Sequence, residues 1–382
     1  MPDNRWRVFA EKQAVGGRTL RLIARLAPRP PRPSWRGAAA RVAPIARATV
    51  SVVIPCYNYA RYLPDAVHSA LAQNGVDVEV IVVDDRSTDD SRQVAERLAD
   101  AHPEVRVIVN PENLGHVRSF NVGWEASTGD FAVKLDADDL LAPDALTRAV
   151  ALFEAHPSVG MVYGHPRHFA ADRPPAARVE TVRWVVWRGE DWLMERCRLG
   201  VSAITNPEMV LRSALLRESG PMDPSVTFAP DMEIALRLAA ISDIGYVAGA
   251  DQALHREHAG SMSETDGAGV LVDIQARRTA FDRALRARAD SERFRSRARR
   301  ALARDALRLA SAAADRTRNA MAGRDLVGFA TDVCPESREW RSYRRLQAPS
   351  PIVARSLSAL GRKARRRVRS EAYFARWMVS GV

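Results

Sequence analysis

Residues 131–140 read FAVKLDADDL, a short apolar run that ends in three carboxylates within four positions. Carboxylates this close repel one another, and a folded chain usually tolerates them where a cation or a polar ligand lies among them. The Asp-x-Asp spacing at the end of a strand suits Mg²⁺ or Mn²⁺, which takes oxygen ligands and keeps substrate phosphates in its shell. The alternative is a solvated turn that caps the next helix, because Asp is common in both places.

Strand and helix patterns alternate on both sides of this run. β-branched segments at residues 50–54, 78–83 and 105–109 predict buried strands, and residues with helical apolar spacing separate them. Alternation over about a hundred residues predicts a largely parallel sheet with helices on both faces. Ligands of such sheets bind at the carboxyl ends of the strands, where both Asp84-Asp85 and the 136–139 cluster fall.

Two common phosphate-binding motifs are missing from the sequence. No Gly-x-Gly-x-x-Gly follows the first strand, and no Gly-x-x-x-x-Gly-Lys-Ser/Thr occurs. This argues against a dinucleotide-binding fold and against a P-loop nucleotidase. A phosphate site in this chain therefore has to use metal and side chains rather than a Gly-rich backbone.

The 382-residue chain has a formal net charge of +11, carried mainly by its Arg-rich ends. A basic excess fits an anionic partner such as membrane lipid, nucleic acid or a phosphorylated substrate. The cysteines Cys56, Cys197 and Cys334 match no metal-ligand spacing and suggest a reducing compartment. No apolar run approaches the roughly 18 residues that span a bilayer, and arginines interrupt the place of a signal segment. We therefore expect a cytoplasmic protein.

Four motifs, in order and spacing, resemble the family 2 glycosyltransferases of GT-A fold. They are VVIPCYN at residues 52–58, VDDRSTD at 83–89, NLG at 113–115 and LDADD at 135–139. The resemblance runs from about residue 49 to about residue 262. Arg86 departs from it, because Gly is usual after the paired Asp. A side chain at that position is expected to narrow the nucleotide pocket or to add a cation near it.

The resemblance implies an α/β fold, with a Rossmann-like, mostly parallel sheet flanked by helices, over residues 49–265. Residues 1–48 precede it as a basic, Pro/Arg-rich arm, whose composition favours extended, solvated chain. Residues 266–382 follow as a basic helical extension, in which apolar spacing predicts helices around 270–285 and 301–312.

The donor that the resemblance implies is a nucleotide-diphospho-sugar. Its nucleoside is expected between the loop after the first strand and the Asp-Asp loop, with UDP-sugars mildly preferred because a carboxylate suits the imide N–H of uracil. The residues implied for the nucleotide are Pro55, Tyr57, Asn58, Asp84 or Asp85, Gly115 and Asp136. Asp138 is implied as a direct ligand of Mg²⁺ or Mn²⁺, Asp136 faces the ribose or the metal, and Asp139 is expected to be a helix cap.

The acceptor half carries two further motifs of the resemblance. Asp231 takes the position of the catalytic base near a helix N-terminus, where the helix dipole favours a carboxylate. The alternative is that Asp231 only caps that helix, and Pro230 stands where Glu is usual. Glu233 is expected to be a surface charge. In the segment 255–263, Arg256 is implied to bind diphosphate oxygens and His258 to contact metal or diphosphate.

Together these residues predict an inverting glycosyltransferase that acts in surface polysaccharide or glycolipid synthesis, with a glycan or lipid-linked acceptor. One alternative is a catalytically inactive nucleotide-sugar-binding protein, which Arg86 and Pro230 favour. Another is a nucleotidyltransferase, which usually needs a Gly-rich, basic triphosphate loop that residues 54–59 do not provide.

The basic run at residues 362–369 is followed by Tyr373, Phe374 and Trp377. This composition suits an anionic membrane surface and predicts a peripheral location on the inner face of the plasma membrane. The alternative is a solvated helical face. No nucleic-acid recognition module occurs in the sequence, so nucleic acid is not expected as a partner.

Overall fold

A computed structural model gives the structure of the protein. It describes residues 23–27, 31–39, 47–170, 172–201, 204–258, 269–317, 323–347, 368, 371–373, 375–378 and 380–382. In the part of the chain that these ranges cover, no helix is both long enough and apolar enough to cross a membrane. The basic run at 362–369 lies, apart from Val368, outside the described residues.

Ten strands among the described residues form one mixed sheet. The strands are β1 (Trp35–Gly37), β2 (Thr49–Cys56), β3 (Asp77–Asp84), β4 (Val105–Val109), β5 (Phe131–Lys134), β6 (Leu140–Leu141), β7 (Val159–Phe169), β8 (Arg183–Trp187), β9 (Met209–Arg212) and β10 (Asp243–Arg256). Their spatial order is β1-β8-β10-β7-β9-β5-β2-β3-β4, and β6 pairs with β10. The four strands β4, β3, β2 and β5 are parallel to one another, as the alternation predicts. The antiparallel β9 then joins β5 to the parallel pair β7 and β10.

Helices cover both faces of this sheet. They are α1 (Leu63–Leu71), α2 (Ser91–Ala101), α3 (His116–Glu125), α4 (Ala145–Ala155), α5 (Gly189–Leu199), α6 (Ser213–Ser219), α7 (Pro230–Ala239), α8 (Val270–Ala284), α9 (Ser291–Thr317), α10 (Arg324–Val333) and α11 (Arg341–Gln347), with a 3₁₀ turn at Pro335–Glu339. Proline in the first turn starts α1 and α7, because its missing N–H is not needed there and its φ is already helical.

The period-two alternation of the central strands divides the core into two layers. Val52 and Ile54 of β2 face one layer with Leu63 of α1, whereas Val53 faces the other layer with Phe120 of α3. Burial of one side chain of this size contributes about 1.5–3 kcal/mol to the free energy of unfolding. Helix α3 approaches the sheet closely at Gly123, where a Cβ would lie 2.5 Å from Val53 Cγ1 and 2.8 Å from Val83 Cγ2. Packing on both faces therefore holds the sheet in place, including the edge that carries the acidic loops.

Helices α8 and α9 lie where the sequence predicts helices, but they do not stand apart from the sheet domain. Ile274 and Phe281 of α8 and Phe294 of α9 belong to the same buried cluster as Trp192 of α5 and Ile234 of α7. The helices that follow residue 265 therefore complete one face of the core.

The chain's last described residues pack on the sheet rather than facing outward. Trp377 is buried with its ring 4.2 Å from that of His165, and Trp187 Nε1 donates to the carbonyl of Ser380 at 3.2 Å. Arg376 donates to the buried Glu195 at 2.6 Å. The expectation that Trp377 lies on a membrane surface is wrong, because its indole fills space against β7. Phe374 lies outside the described residues.

Candidate active site

The carboxyl ends of the parallel strands bring the predicted motifs to one edge of the sheet. Cys56 at the end of β2 is in register with Asp84 at the end of β3, and Lys134 at the end of β5 is in register with Val53 of β2. β10 runs parallel to β7 and ends at Arg256, beside the loop that contains residues 136–139. Segments more than a hundred residues apart in sequence therefore meet here.

Asp138 and His258, the two predicted metal ligands, are direct neighbours. His258 Nε2 lies 3.0 Å from Asp138 Oδ2. The rings of Tyr62 and Tyr59 flank the imidazole at centroid distances of 4.9 and 6.0 Å. The described residues contain no group of three or more His, Cys, Asp and Glu side chains arranged to hold a metal ion. A carboxylate oxygen and an imidazole nitrogen are still suitable donors for a divalent cation that takes its remaining ligands from water and diphosphate.

Asp139 is buried and does not cap a helix, so that expectation is wrong. Its Oδ2 lies 2.8 Å from His255 Nδ1, and its Oδ1 accepts from the backbone N–H of Arg256 at 2.9 Å. Helix α4 starts six residues later, at Ala145. Burial lowers the pKa of His255, but the charge and hydrogen bond of Asp139, together with Asp138 and Glu208, raise it to about 10. This ion pair, which the sequence reasoning missed, fastens the Asp-rich loop to β10.

Arg256 reaches the loop from the other side. Its Nε donates to the carbonyl of Asp138 at 3.1 Å, and its Nη2 lies 3.1 Å from Asp65 Oδ2 on α1. The guanidinium stacks between the rings of Tyr62 and Phe169, at 4.9 and 4.8 Å from their centroids. In this arrangement Arg256 holds the backbone of the loop at residues 136–139, and its predicted contact with diphosphate stays a prediction.

The two adjacent carboxylates of the β3 end have different surroundings. Asp85 Oδ1 accepts from Asn110 Nδ2 and from the Leu114 N–H, both at 2.8 Å, and its Oδ2 accepts from the Gly115 N–H at 2.8 Å. Asp84 is equally buried, and only its Oδ2 is engaged, by the Ser87 N–H at 3.3 Å. Asp84 Oδ1 has no hydrogen-bond partner among the described residues. Of the pair, Asp84 is the carboxylate that keeps an oxygen available.

The loop after β2 is tied to the Asp-Asp loop by Asn58. Its Oδ1 accepts from the Thr88 N–H at 2.8 Å, and its own N–H donates to Ser87 Oγ at 3.1 Å. Asn58 and Arg86 both have left-handed backbone conformations, with φ of 61° and 64°. Gly, the usual residue at the position of Arg86, adopts this conformation without steric cost, whereas Arg does not. Tyr57 leaves 42% of its surface exposed, whereas Pro55 is buried within the strand ladder.

Asp231 lies in the first turn of α7, half-buried. Its Oδ1 accepts from the Met232 N–H at 2.8 Å. Burial raises the pKa of Asp231 to about 6, while that N–H and the Lys134 ammonium act against the rise. A carboxyl group with this pKa is ionised at neutral pH and still basic enough to accept a proton.

Helix α3 contacts the loop that leads into Asp231. Gly115 caps α3 with φ of 80°, and His116 Nε2 donates to the carbonyl of Thr227 at 3.1 Å. Beside this contact lies a cavity of about 140 Å³ between the loop and α8, lined by Ser225, Val226, Thr227, Phe228, Val272, Gln275, Ala276 and Thr279. The Asp84-Asp85 half and the Asp231 half of the site therefore touch through α3.

Two charged side chains are buried where the sequence did not predict it. Glu233 is buried and accepts from Arg237 Nη2 at 3.0 Å, so its expected surface position is wrong. Lys134, at the end of β5, is buried and pairs with Asp136 Oδ1. The sequence did contain a signal that Lys134 belongs to the site: it is a cation in an otherwise apolar strand, two residues before the acidic cluster.

Part of the chain matches a known protein family. Residues 51–205 match the model of the family described as glycosyl transferase family 2. An uncharacterised glycosyltransferase of Nostoc is 42% identical over 114 residues, which are 30% of this chain and 35% of that protein. A succinoglycan biosynthesis protein of Rhizobium meliloti is 40% identical over 106 residues, 28% of this chain and 30% of that protein. The chain therefore spans about a third of the length of these curated relatives.

Solved structures of similar shape cover most of the chain. A mannosyltransferase from Pyrobaculum calidifontis, in complex with GDP-Man and Mn²⁺, superposes with a TM-score of 0.53 over 94% of this chain and 91% of that one, at 18% identity. S. aureus TarS in complex with UDP-GlcNAc superposes with a TM-score of 0.51 over 86% of this chain and 90% of that one, also at 18% identity. At this identity the likeness concerns the fold. Residues 51–205 thus belong to glycosyl transferase family 2, and the chain around them has the GT-A fold.

Proposed function

We propose that the protein is an inverting glycosyltransferase that moves a sugar from a nucleotide-diphospho-sugar to an acceptor hydroxyl. One observation carries the proposal: the open Asp84 oxygen and the Asp138–His258 pair lie at the carboxyl ends of the parallel strands, and the charge of Lys134 at the end of β5 acts on Asp231. These three features match the three needs of the reaction, which are nucleotide binding, stabilisation of the leaving diphosphate and removal of a proton.

The nucleoside of the donor is assigned to the space beside Tyr57 and Asp84. Asp84 Oδ1 is buried without a partner among the described residues, and a buried acceptor of this kind is satisfied when a base N–H binds to it. The exposed ring of Tyr57 offers a stacking surface. Similar folds bind UDP-GlcNAc and GDP-Man, and the imide N–H of uracil or the lactam N–H of guanine suits this carboxylate. Pro55 and Asn58 shape the loop, and Gly115 and Asp136 face the donor from the other side.

The cation is assigned to Asp138 and His258, which are the right donor types for Mn²⁺ or Mg²⁺ and already lie within 3.0 Å of each other. A divalent cation, when bound there, neutralises the charge that develops on the departing diphosphate. The protein holds the two ligands through their neighbours. Arg256 fixes the Asp138 carbonyl, and Tyr62 and Tyr59 pack on the His258 ring.

Asp231 is assigned as the base of a single displacement. Its ionised carboxylate accepts the proton of the acceptor hydroxyl as that oxygen bonds to the anomeric carbon and the bond from that carbon to the diphosphate breaks. Attack opposite the leaving group inverts the configuration.

The cellular role follows from the relatives and stays at the level of substrate class. Relatives of partial length carry the names chondroitin synthase and succinoglycan biosynthesis protein, so a polysaccharide or glycolipid acceptor is assigned. The basic run at 362–369 supports a location at the anionic inner face of a membrane.

A thermal-shift screen of nucleotide-sugars, each with and without MnCl₂, tests this function. We expect stabilisation by at least one UDP- or GDP-sugar that requires Mn²⁺, and transfer of that sugar to an added acceptor. Donor binding without transfer, unchanged between wild type and Asp231→Asn, would instead favour a catalytically inactive nucleotide-sugar-binding protein. No shift with any donor would overturn the proposal.

A further inference from the structure

Lysine is almost absent from this chain, although basic residues are abundant. Of 57 lysines and arginines only three are lysines, at positions 12, 134 and 363. Lys134 is therefore the single lysine in the sequence between the two ends. It is also buried, with 2% of its side chain exposed. A lysine kept in the interior of an Arg-rich protein calls for a physical reason.

The ammonium of Lys134 lies at the sheet edge where the site is formed. Lys134 ends β5, in register with Val53, and its Nζ donates to Asp136 Oδ1. The Asp136 side chain is 36% exposed. The cation is thus enclosed by protein while its carboxylate partner faces the open side of the site.

The charge of Lys134 also acts on groups of two other elements. Burial raises the pKa of Asp231 on α7, and Lys134 opposes that rise while Asp136 adds to it. On α3, burial and Lys134 both lower the pKa of His116, against Asp136, Asp85 and the hydrogen bond to Thr227. The ammonium therefore influences groups on α7 and α3 besides the carboxylate that it holds.

An arginine does not suit this position. The buried Arg277 of α8 uses several acceptors at once: the Gly200 carbonyl, Asp273 and Asp305. The ammonium of Lys134 has Asp136 as its one hydrogen-bond partner among the described residues. A compact ammonium needs less space and fewer acceptors than a planar guanidinium with five N–H groups.

We propose that Lys134 is a positioning residue of the transfer reaction, in which its enclosed ammonium fixes Asp136 toward the donor and places a positive charge beside Asp231. The inference rests on the glycosyltransferase function proposed above. Because the charge favours the ionised form of Asp231, it extends the pH range in which the base is available. Without it, the acidic limb of the pH profile of kcat/KM moves to higher pH.

The test compares Lys134→Gln and Lys134→Arg with wild type. Arg97→Gln, which removes one positive charge from an exposed site on α2, is the matched control. Two readouts are measured: the pH profile of kcat/KM at saturating Mn²⁺, and the titration of His116 by NMR in the protein without donor or metal. The second readout needs no activity and is tractable because the chain has eight histidines.

In Lys134→Gln we expect the acidic limb and the pKa of His116 both to rise by about half a pH unit or more, with Arg97→Gln unchanged. In Lys134→Arg we expect the pKa of His116 to stay near the wild-type value while kcat/KM falls about tenfold, because charge is kept and geometry is lost. A folded Lys134→Gln protein in which neither quantity moves would overturn the inference. So would a Lys134→Arg enzyme with wild-type kcat/KM, a result that remains available if the Gln variant does not fold.

The two proposals fail separately. A wild-type protein that transfers no sugar defeats the glycosyltransferase function, and the His116 titration then still decides whether Lys134 acts across the site. A wild-type protein that transfers sugar, with variants that leave both readouts unmoved, defeats only the role of Lys134.

Discussion

The two halves of the sheet edge hold their functional residues in different ways. In the half formed by β2, β3 and β5, side chains bind the backbone of neighbouring loops, as Asp85 does with residues 114 and 115 and Asn58 with Thr88. In the half that involves β10, side chains join distant parts of the chain: 116 residues separate Asp139 from His255, and 191 separate Asp65 from Arg256. The first half, where donor binding is proposed, thus joins segments about 30 residues apart, whereas the second half depends on pairs that are more than a hundred residues apart.

The largest effect is expected at Asp231, whose substitution changes the chemical step rather than the stability of the fold. Asp231→Asn removes the base and leaves a side chain of nearly the same size, so we expect kcat to fall roughly 10²- to 10⁴-fold with donor affinity retained. Steady-state kinetics and calorimetric donor binding measure the two effects. Asp90→Asn, which changes an exposed carboxylate at the start of α2, serves as the control. Equal losses of kcat in both variants would contradict the assigned role.

The long-range half is tested by the Asp139–His255 pair. Asp139→Ala leaves the His255 imidazole and the Arg256 N–H without their partner, and we expect the free energy of unfolding to fall by about 3–5 kcal/mol. Urea unfolding followed by circular dichroism measures this loss. The matched change is Asp172→Ala, whose carboxylate forms an exposed ion pair with Arg61 and whose removal should cost clearly less. A similar cost for both would remove the distinction between a buried fastening and an exposed ion pair.

The donor half is tested by comparing its adjacent carboxylates. Asp85→Asn disturbs three hydrogen bonds to the 110–115 segment and should lower stability by about 1–3 kcal/mol. Asp84→Asn leaves that network intact and should weaken nucleoside diphosphate binding by about tenfold, with little change in stability. Thermal denaturation and calorimetric titration with UDP and GDP separate the two outcomes. The reverse pattern would assign base recognition to Asp85.

The smallest effect is expected at Arg86, whose left-handed backbone suits Gly. Arg86→Gly should relieve the steric cost of φ near 64° and raise the free energy of unfolding by about 1 kcal/mol. Arg86→Ala removes the same guanidinium without relieving that cost and is the control. Equal stability of the two variants would show that backbone strain is not what distinguishes this position.

The same division separates what the sequence predicts from what it does not. The strand ends that carry Asp84-Asp85 and residues 136–139 were predictable, because β-branched runs and acidic loops are local signals. The partners of Asp139 were not, because nothing near residue 139 indicates that His255 lies beside it. Likewise, the sequence does not indicate that Glu233 and Trp377 are buried. Glu233 is buried against Arg237, and Trp377 packs against β7, and composition alone reveals neither contact.

The stereochemistry of transfer tests the central assignment most directly. With an α-linked nucleotide-sugar donor identified by the thermal-shift screen, ¹H NMR of the product reports the configuration of the new anomeric bond. Single displacement with Asp231 as base predicts a β-linked product and none from Asp231→Asn. An α-linked product would contradict the proposed mechanism, because retention needs a nucleophile beneath the sugar rather than a base at the acceptor.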